Sequence, residues 1–243
     1  MLIHSVIRVC FYRQVNIESQ FFLWSIYGPI WLVKWISMAD FLHIHPINPE
    51  RRLIKQVVDV LLTGGVIVYP TDSTYALGCH IGDKLALERI RRIRQLDARH
   101  NFTLVCSDLS SLAIYARVHN SAYRILKAYT PGPYTFILKA TSQVPKRLMH
   151  PKRKTIGLRV PDNSITQSIL SSFGEPVMST SLILPDEDKQ LFDANEMRTK
   201  IGKMVDLIID GGACGLEPTT MIDLVEGVPE VMRIGKGDPE PFQ

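Results

Sequence analysis

Paired cysteines are absent from this chain. Its four cysteines, Cys10, Cys79, Cys106 and Cys214, are scattered along 243 residues with no paired spacing. This distribution argues against a zinc site or a disulfide framework, and a reducing cytoplasm fits it best. Neither of the two glycine-rich phosphate-loop spacings occurs, so the sequence also lacks the signatures of a dinucleotide-dependent dehydrogenase and of a kinase.

The chain also lacks a strong charge of either sign. Its formal net charge is +4; residues 1–37 hold three basic residues and one acidic residue, or +2, so the other residues carry only +2. Global charge therefore says little about binding partners. There is no internal repeat or low-complexity segment, and a hydrophobic content of 46% supports a substantial core.

The apolar stretch near the N-terminus is short for a membrane span. It covers residues 21–36, contains Gly28-Pro29 and Lys34, and falls below the about 20 residues that a spanning helix needs. It also lacks the early apolar region and the small-residue end of a signal peptide. We expect a folded domain over residues 38–243, with residues 1–37 an extension whose translation is open, because Met38 is a second candidate start. A membrane anchor is the alternative interpretation, and we expect membrane contact only if residues 1–37 are made in the cell.

The most informative stretch joins a buried strand to a polar turn. Gly64-Gly65 precedes an apolar run over residues 66–69, whose composition is typical of a strand buried on both faces, and Pro70 ends it. Residues 71–74 follow with the sequence Thr-Asp-Ser-Thr. The carboxyl ends of strands in open α/β sheets are where ligands bind, so this turn is a candidate site. A Ser/Thr or Asx turn that only closes a core strand is the competing interpretation.

Helical and extended patterns alternate along the chain. Apolar residues recur at helical spacing after Asn48, which we predict to be an N-cap, and again after Asp83. Further strands are predicted over residues 102–106, 134–140, 155–160, 177–184, 205–209, 221–225 and 231–234, and helices over residues 120–129 and 163–173. This order predicts an α/β (α+β) domain around a twisted mixed sheet.

Several short motifs occur in the order typical of one family. They are Tyr69-Pro70-Thr71-Asp72-Ser73-Thr74-Tyr75-Ala76-Leu77-Gly78, Thr130-Pro131-Gly132-Pro133-Tyr134-Thr135, Thr155-Ile156-Gly157-Leu158-Arg159-Val160-Pro161, Ser179-Thr180-Ser181, Asp210-Gly211-Gly212, Pro218-Thr219-Thr220-Met221-Ile222-Asp223 and Val231-Met232-Arg233-Ile234-Gly235. The sequence thus resembles the YrdC-like superfamily. Residues 94–103 and 179–181 resemble its YciO branch in particular. The resemblance implies a single YrdC-like domain whose sheet curves around a concave basic face.

The resemblance implies a nucleotidyltransferase activity. Members of this superfamily make threonylcarbamoyl-adenylate for tRNA modification from ATP, threonine and bicarbonate; magnesium usually accompanies the triphosphate, and no protein-bound metal is expected. The roles carried over are catalysis for Arg94, Ser179 and Ser181, substrate binding for Thr71, Thr74, Arg159 and Thr219, and nucleotide binding for Thr103, Thr220 and Arg233. Ordinary solvated strand edges are the competing interpretation for Arg159 and Arg233.

Two departures from the family pattern bear on activity. Where the synthases have a lysine, one residue and an arginine, this chain has Arg94-Gln95-Leu96, and the family's Ser-Ala-Asn is Ser179-Thr180-Ser181. An aliphatic side chain cannot contact a phosphate. Because the loss of one positioned donor lowers a rate by roughly 10²- to 10³-fold, we expect weak or redirected synthase activity.

Two basic groups favour a different class of function. The first contains Arg89, Arg92 and Arg99, and the second is Lys152-Arg153-Lys154. Clustered cations bind phosphate backbones irrespective of sequence. Non-catalytic binding of tRNA or double-stranded RNA is therefore the alternative hypothesis, and a solvated helix face paired with local carboxylates is the structural one.

Overall fold

A mixed sheet of eleven strands organises the part of the chain that the structure describes. The structure is a computed structural model, and it describes residues 38–97, 100–185 and 191–243. Residues 38–243 form one compact unit; the extension over residues 1–37 lies outside the described residues. In chain order the strands are β1 Asp40–His43, β2 Ile67–Tyr69, β3 Ala76–His80, β4 Thr103–Val105, β5 Ala116–Arg117, β6 Tyr134–Ala140, β7 Thr155–Arg159, β8 Val177–Ser181, β9 Leu207–Asp210, β10 Thr220–Asp223 and β11 Glu230–Arg233.

Parallel and antiparallel pairs alternate across this sheet. The strand order is β1-β9-β2-β3-β8-β4-β7-β6-β10-β11, and β5 pairs with β6. The pairs β1–β9 and β4–β7 are parallel, whereas β3–β8 and β6–β7 are antiparallel. The predicted α/β domain with a mixed sheet is confirmed.

Six α-helices within the described residues pack on the sheet. They are α1 Arg51–Leu62, α2 Lys84–Arg94, α3 Leu109–Tyr115, α4 Asn120–Tyr129, α5 Ser164–Phe173 and α6 Ala194–Ile201. Asp83 and Asn163 cap α2 and α5 through side-chain bonds to backbone N–H groups. The prediction that Asn48 caps α1 is wrong: the helix begins after Glu50, and the Asn48 N–H instead bonds the ring of His45. Among the described residues, no helix has the length and apolar character needed to cross a membrane.

The two faces of the sheet are covered differently. One face packs against α2, α3, α4 and α6 in a large core that includes Leu104, Phe136 and Leu158. The opposite face packs against α1 and α5, and residues of β2, β3, β8 and β9 fill this second core. Strands β6, β7 and β10 contribute no residue to the second core. That face of the sheet therefore lacks the cover of α1 and α5 at these strands, which is where a ligand has access.

Strand register aligns residues that are far apart in sequence. Ser179 of β8 pairs with Thr103 of β4, which pairs with Gly157 of β7. Beside this row, Met221 of β10 pairs with Thr135 of β6 and with Arg233 of β11. Because alternate residues of a strand point to the same face, these rows bring motif residues from five segments together.

Candidate anion site

A cavity of about 140 Å³ lies where the second core ends and the uncovered part of the sheet begins. Eight of the ten residues that the motifs single out for catalysis and binding line it: Thr74, Arg94, Thr103, Arg159, Ser179, Ser181, Thr219 and Arg233. Side chains from five strands and the end of one helix thus surround a single space.

The polar turn at residues 71–74 is built around Thr71. Its hydroxyl accepts hydrogen bonds from the backbone N–H groups of Ser73 and Thr74, each at 3.2 Å, and donates to the Thr74 carbonyl. Thr71 is 3% exposed and lies outside the cavity wall. The Ser/Thr turn that the sequence suggested is therefore present, and it fixes the backbone that presents Thr74 to the cavity.

Arg159, at the end of β7, is held by the same turn. Its guanidinium forms an ion pair with Asp72 and donates to Ser73 Oγ at 2.9 Å and to Thr71 Oγ1 at 3.3 Å. Arg159 is 8% exposed, and its Nε finds no hydrogen-bond partner among the described residues. A buried guanidinium fixed on one side by a carboxylate and hydroxyls is a preorganised anion binder. The solvated-edge interpretation does not describe this side chain.

Arg233, on the edge strand β11, approaches the cavity from the other side. Its guanidinium donates to the Thr219 carbonyl at 2.8 Å and to Thr219 Oγ1 at 3.2 Å, and that hydroxyl lies 2.7 Å from Thr135 Oγ1. Burial lowers the pKa of Arg233, and the positive charge of Arg159 lowers it further. Two neighbouring guanidinium groups of like charge favour an anion between them.

Arg94 closes the third side of the cavity. It is the last residue of α2, and Gln95 then turns the chain in the left-handed region at φ 50°. The Arg94 guanidinium donates to Thr180 Oγ1 at 3.0 Å and to the Ser181 carbonyl. Burial lowers the pKa of Arg94. Leu96, in contrast, is partly buried against the large core, so the position where the synthases carry a second cation offers none here.

Ser179 is already committed to contacts within the sheet. Tyr69 donates its hydroxyl proton to Ser179 Oγ at 2.7 Å, and Ser179 Oγ lies 3.3 Å from the Leu77 carbonyl. Burial raises the pKa of Tyr69 to about 12, so the phenol stays neutral and donates. Ser179 is thus positioned to present its remaining lone pair to a ligand rather than to act as a nucleophile.

The cavity is strongly electropositive. Among the described residues that line it are three arginines and no aspartate or glutamate. Asp72 balances part of the charge from behind Arg159. A space of this kind binds anions such as carboxylates and phosphates.

Thr220 does not join the cavity. It is fully buried, its hydroxyl donates to the Gly237 carbonyl, and that hydroxyl accepts from the Gly235 N–H at 3.0 Å. Side chains alternate along β10, so Thr219 and Met221 reach the cavity while Thr220 faces the large core. Thr220 therefore stabilises the turn after β11 and does not contact a nucleotide in this cavity.

The predicted RNA-binding cations are used unequally. Arg89 donates to Asp206 at 2.6 Å and to the Met204 carbonyl at 3.0 Å, so it joins α2 to the chain before β9. Arg153 pairs with Asp223 at 2.5 Å. Arg92, Lys152 and Lys154 are exposed, and Arg99 lies outside the described residues. Arg89 is thus a structural arginine.

A second cavity of about 240 Å³ adjoins the first. The two share four wall residues, Asn101, Thr103, Thr135 and Met221. Gly157 forms part of the second wall, and a Cβ there would lie 3.1 Å from Thr103 Oγ1. The pair of cavities therefore forms a longer site, with one highly charged end and one end that carries Ile137, Ile156 and Met232.

Sequence reasoning missed several wall residues. His100, Asn101 and Met221 line the charged cavity but received no role. The first two belong to the His-Asn-Phe-Thr sequence, which was noticed only as a family marker. In the described ranges, no three His, Cys, Asp or Glu side chains come close enough to hold a metal ion.

Comparison with known proteins identifies the family. The Sua5/YciO/YrdC family model, described as telomere recombination, matches residues 59–235. YciO of Escherichia coli, described as uncharacterized, is 57% identical over 205 residues, which is 84% of this chain and 100% of that protein. Its crystal structure superposes with a TM-score of 0.82 at 56% identity, covering 85% of this chain and 100% of that one.

Two more distant relatives have named activities or ligands. The threonylcarbamoyl-AMP synthase of Vibrio vulnificus is 29% identical over 161 residues, or 65% of this chain and 86% of that enzyme. The structure of P. abyssi Sua5 complexed with L-threonine gives a TM-score of 0.76 at 22% identity, covers 83% of this chain and 59% of that one, and so shows the fold alone. Together with the family match and the close likeness to YciO, these findings show that the chain belongs to the Sua5/YciO/YrdC family.

Proposed function

We propose that the protein is a nucleotidyltransferase that forms a carbamoyl-adenylate from ATP, bicarbonate and threonine. The observation that carries this proposal is the convergence of three guanidinium groups and several hydroxyls on one cavity whose described wall contains no carboxylate. Both substrates bring anionic groups to the reaction, and the product is a mixed anhydride with phosphate. A distant relation to a threonylcarbamoyl-AMP synthase supports the same reaction.

The residues divide into two anion positions. Arg159, with Thr74 beside it in the cavity wall, binds the threonine carboxylate, because Asp72 and Ser73 already fix the guanidinium in place. Arg94 and Ser181 contact the nucleotide phosphates at the other end of the cavity. Magnesium arrives with the nucleotide as part of the substrate and neutralises further phosphate charge.

The chemical step is a displacement at phosphorus. A carbamate oxygen attacks the α-phosphorus, a new P–O bond forms, and the bond to pyrophosphate breaks. Negative charge builds up on the phosphate oxygens, and positioned guanidinium groups stabilise it. With Leu96 turned towards the core, only part of the family's cationic set is in place, so we propose a slow or redirected version of the reaction.

Pyrophosphate release from ATP tests the proposal. We expect release that requires both threonine and bicarbonate, at a rate below that of the Vibrio vulnificus synthase assayed in parallel. Other amino acids assayed at equal concentration reveal a redirected substrate. The proposal fails if no amino acid stimulates pyrophosphate release in the presence of bicarbonate.

Restoring the family's cation and amide is expected to raise turnover. The double variant Leu96→Arg/Ser181→Asn adds a guanidinium after α2 and an amide donor at the end of β8, next to the carbonyl that Arg94 contacts. Since one positioned donor is worth roughly 10²- to 10³-fold, we expect an increase of at least about tenfold in pyrophosphate release. Leu62→Arg is the control, because Leu62 is exposed on α1 and lies outside both cavities. Equal rates for the double variant and the wild type would show that the site is placed wrongly.

RNA binding is a second candidate function, favoured by the exposed loop after His150. Lys152 and Lys154 are exposed next to Arg153, which lines the second cavity. We expect the variant Lys152→Ala/Lys154→Ala to weaken RNA binding about equally for all sequences and to reduce the salt dependence of affinity by about two contacts. Lys203→Ala, which removes an exposed lysine after α6, is the control. If the wild type binds no RNA at low salt, this candidate is excluded.

A further inference from the structure

His100 is a titratable group in the wall of the charged cavity that the mechanism above does not use. It is partly buried, and its ring packs edge to face on Phe102 with centroids 5.3 Å apart. Its Nε2 lies 3.4 Å from Thr180 Oγ1. Histidine is the side chain whose ordinary pKa lies near physiological pH, so a histidine at this place can exchange a proton with a bound substrate.

The hydrogen bonds around Thr180 define the protonation of His100. Arg94 has only donors, so Thr180 Oγ1 must accept from it, at 3.0 Å. The one proton of the Thr180 hydroxyl is then available for His100 Nε2, which must accept it. This arrangement fits a neutral imidazole whose Nε2 carries a lone pair and points to the side of the cavity where Arg94 lies.

The charged groups that face His100 come from one helix. Arg94 and Arg91 of α2 are positive, while Thr180 of β8 and Phe102 of β4 bring no charge. Asp97 contacts His100 through its backbone carbonyl, which accepts the His100 N–H at 3.0 Å. Burial lowers the pKa of His100 below its usual value, and the two arginines lower it further. In the free protein the ring is therefore a poor base.

Resting on the proposed function, we propose that His100 accepts the proton that the substrate ammonium must lose before it can form a carbamate. An ammonium cannot attack bicarbonate, because its nitrogen has no lone pair. The proton moves from the ammonium to Nε2 of His100, and the free amine attacks the carbonyl carbon of bicarbonate. A C–N bond forms, water leaves, and the carbamate remains for the attack on phosphorus. The imidazolium then returns its proton to solvent.

The nucleotide itself makes His100 basic enough for this step. Phosphates bound at Arg94 offset the positive potential of Arg94 and Arg91, so the pKa of His100 rises when the anion binds. By thermodynamic linkage, the same anion must bind more tightly as the pH falls through the pKa of His100. His100 therefore becomes an effective base only when a nucleotide is present, which prevents carbamate formation in a site that has nothing to adenylate.

An NMR titration tests this linkage without catalysis. The ring of His100, assigned by the loss of its signals in His100→Gln, is titrated alone and in saturating pyrophosphate. We expect a pKa below 6.5 in the free protein and a rise of about one unit with pyrophosphate. In Arg94→Gln the free pKa should be higher and the rise smaller. An unchanged pKa with bound pyrophosphate would overturn the inference.

Chemical rescue tests the proton transfer. We expect His100→Ala to lower kcat for pyrophosphate release by about 10²-fold, to remove the acidic limb of the pH profile and to leave the KM for ATP nearly unchanged. Added imidazole should restore part of the rate, which a merely structural loss would not allow. His119→Ala, on an exposed histidine, is the matched control.

The outcomes separate the two proposals. An active wild type whose His100→Ala variant keeps the wild-type rate and pH profile, or gains nothing from imidazole, overturns the role of His100 and leaves the proposed function standing. A wild type that releases no pyrophosphate with any amino acid overturns the proposed function and the proton transfer together.

Discussion

Replacing Arg159 with alanine is expected to abolish measurable turnover and to destabilise the fold. The guanidinium is 8% exposed and forms an ion pair with Asp72, whose side chain is also only 8% exposed. Removing one partner leaves a buried carboxylate without its counter-charge, which costs about 3 to 5 kcal/mol. The same change removes the proposed carboxylate ligand, so we expect kcat/KM for threonine to fall by at least about 10³-fold.

The double variant Arg159→Met/Asp72→Asn separates these two effects. It removes both charges, so urea denaturation should show a free energy of unfolding much closer to that of the wild type than for Arg159→Ala. Turnover should stay undetectable, because the anion ligand is still missing. Arg117→Ala, on an exposed arginine of β5, is the control and should change neither quantity. Recovery of turnover in the double variant would show that Arg159 has only a structural role.

Replacing Arg94 with glutamine is expected to lower kcat by roughly 10²- to 10³-fold with little loss of stability. Arg94 is only partly buried and contacts one hydroxyl and one carbonyl, which glutamine can still reach in part. The charge that stabilises the phosphates in the transition state is lost entirely. The matched control is Arg92→Gln, two residues earlier on the same helix and exposed to solvent. Equal effects of the two substitutions would contradict the assignment of Arg94.

Local sequence patterns predicted the parts of the site that a single segment defines. The apolar run and Pro70 located the end of β2 and the turn that follows. The turn chemistry of Thr71 was also readable, because a hydroxyl two or three residues before an N–H commonly bonds it. Strand β3 was not separated from the turn, since the residues after Tyr75 were taken as part of the polar loop.

Contacts between distant segments were beyond the reach of local patterns. The pairing of Arg89 with Asp206 spans 117 residues, so a helical arginine that looked available to RNA is engaged within the fold. The inward turn of Leu96 depends on how α2 ends at Gln95. The role of Thr220 was open to a better reading, because alternation along β10 separates it from Thr219 and Met221.

Crystals grown with threonine and a non-hydrolysable ATP analogue test the central claim most directly. If the three arginines form one anion site, the threonine carboxylate will bind Arg159 and phosphate oxygens will bind Arg94, within the cavity that Arg233 also lines. Saturating ligands that bind elsewhere on the molecule, with Arg94 still on the Ser181 carbonyl and the cavity empty, would contradict the account.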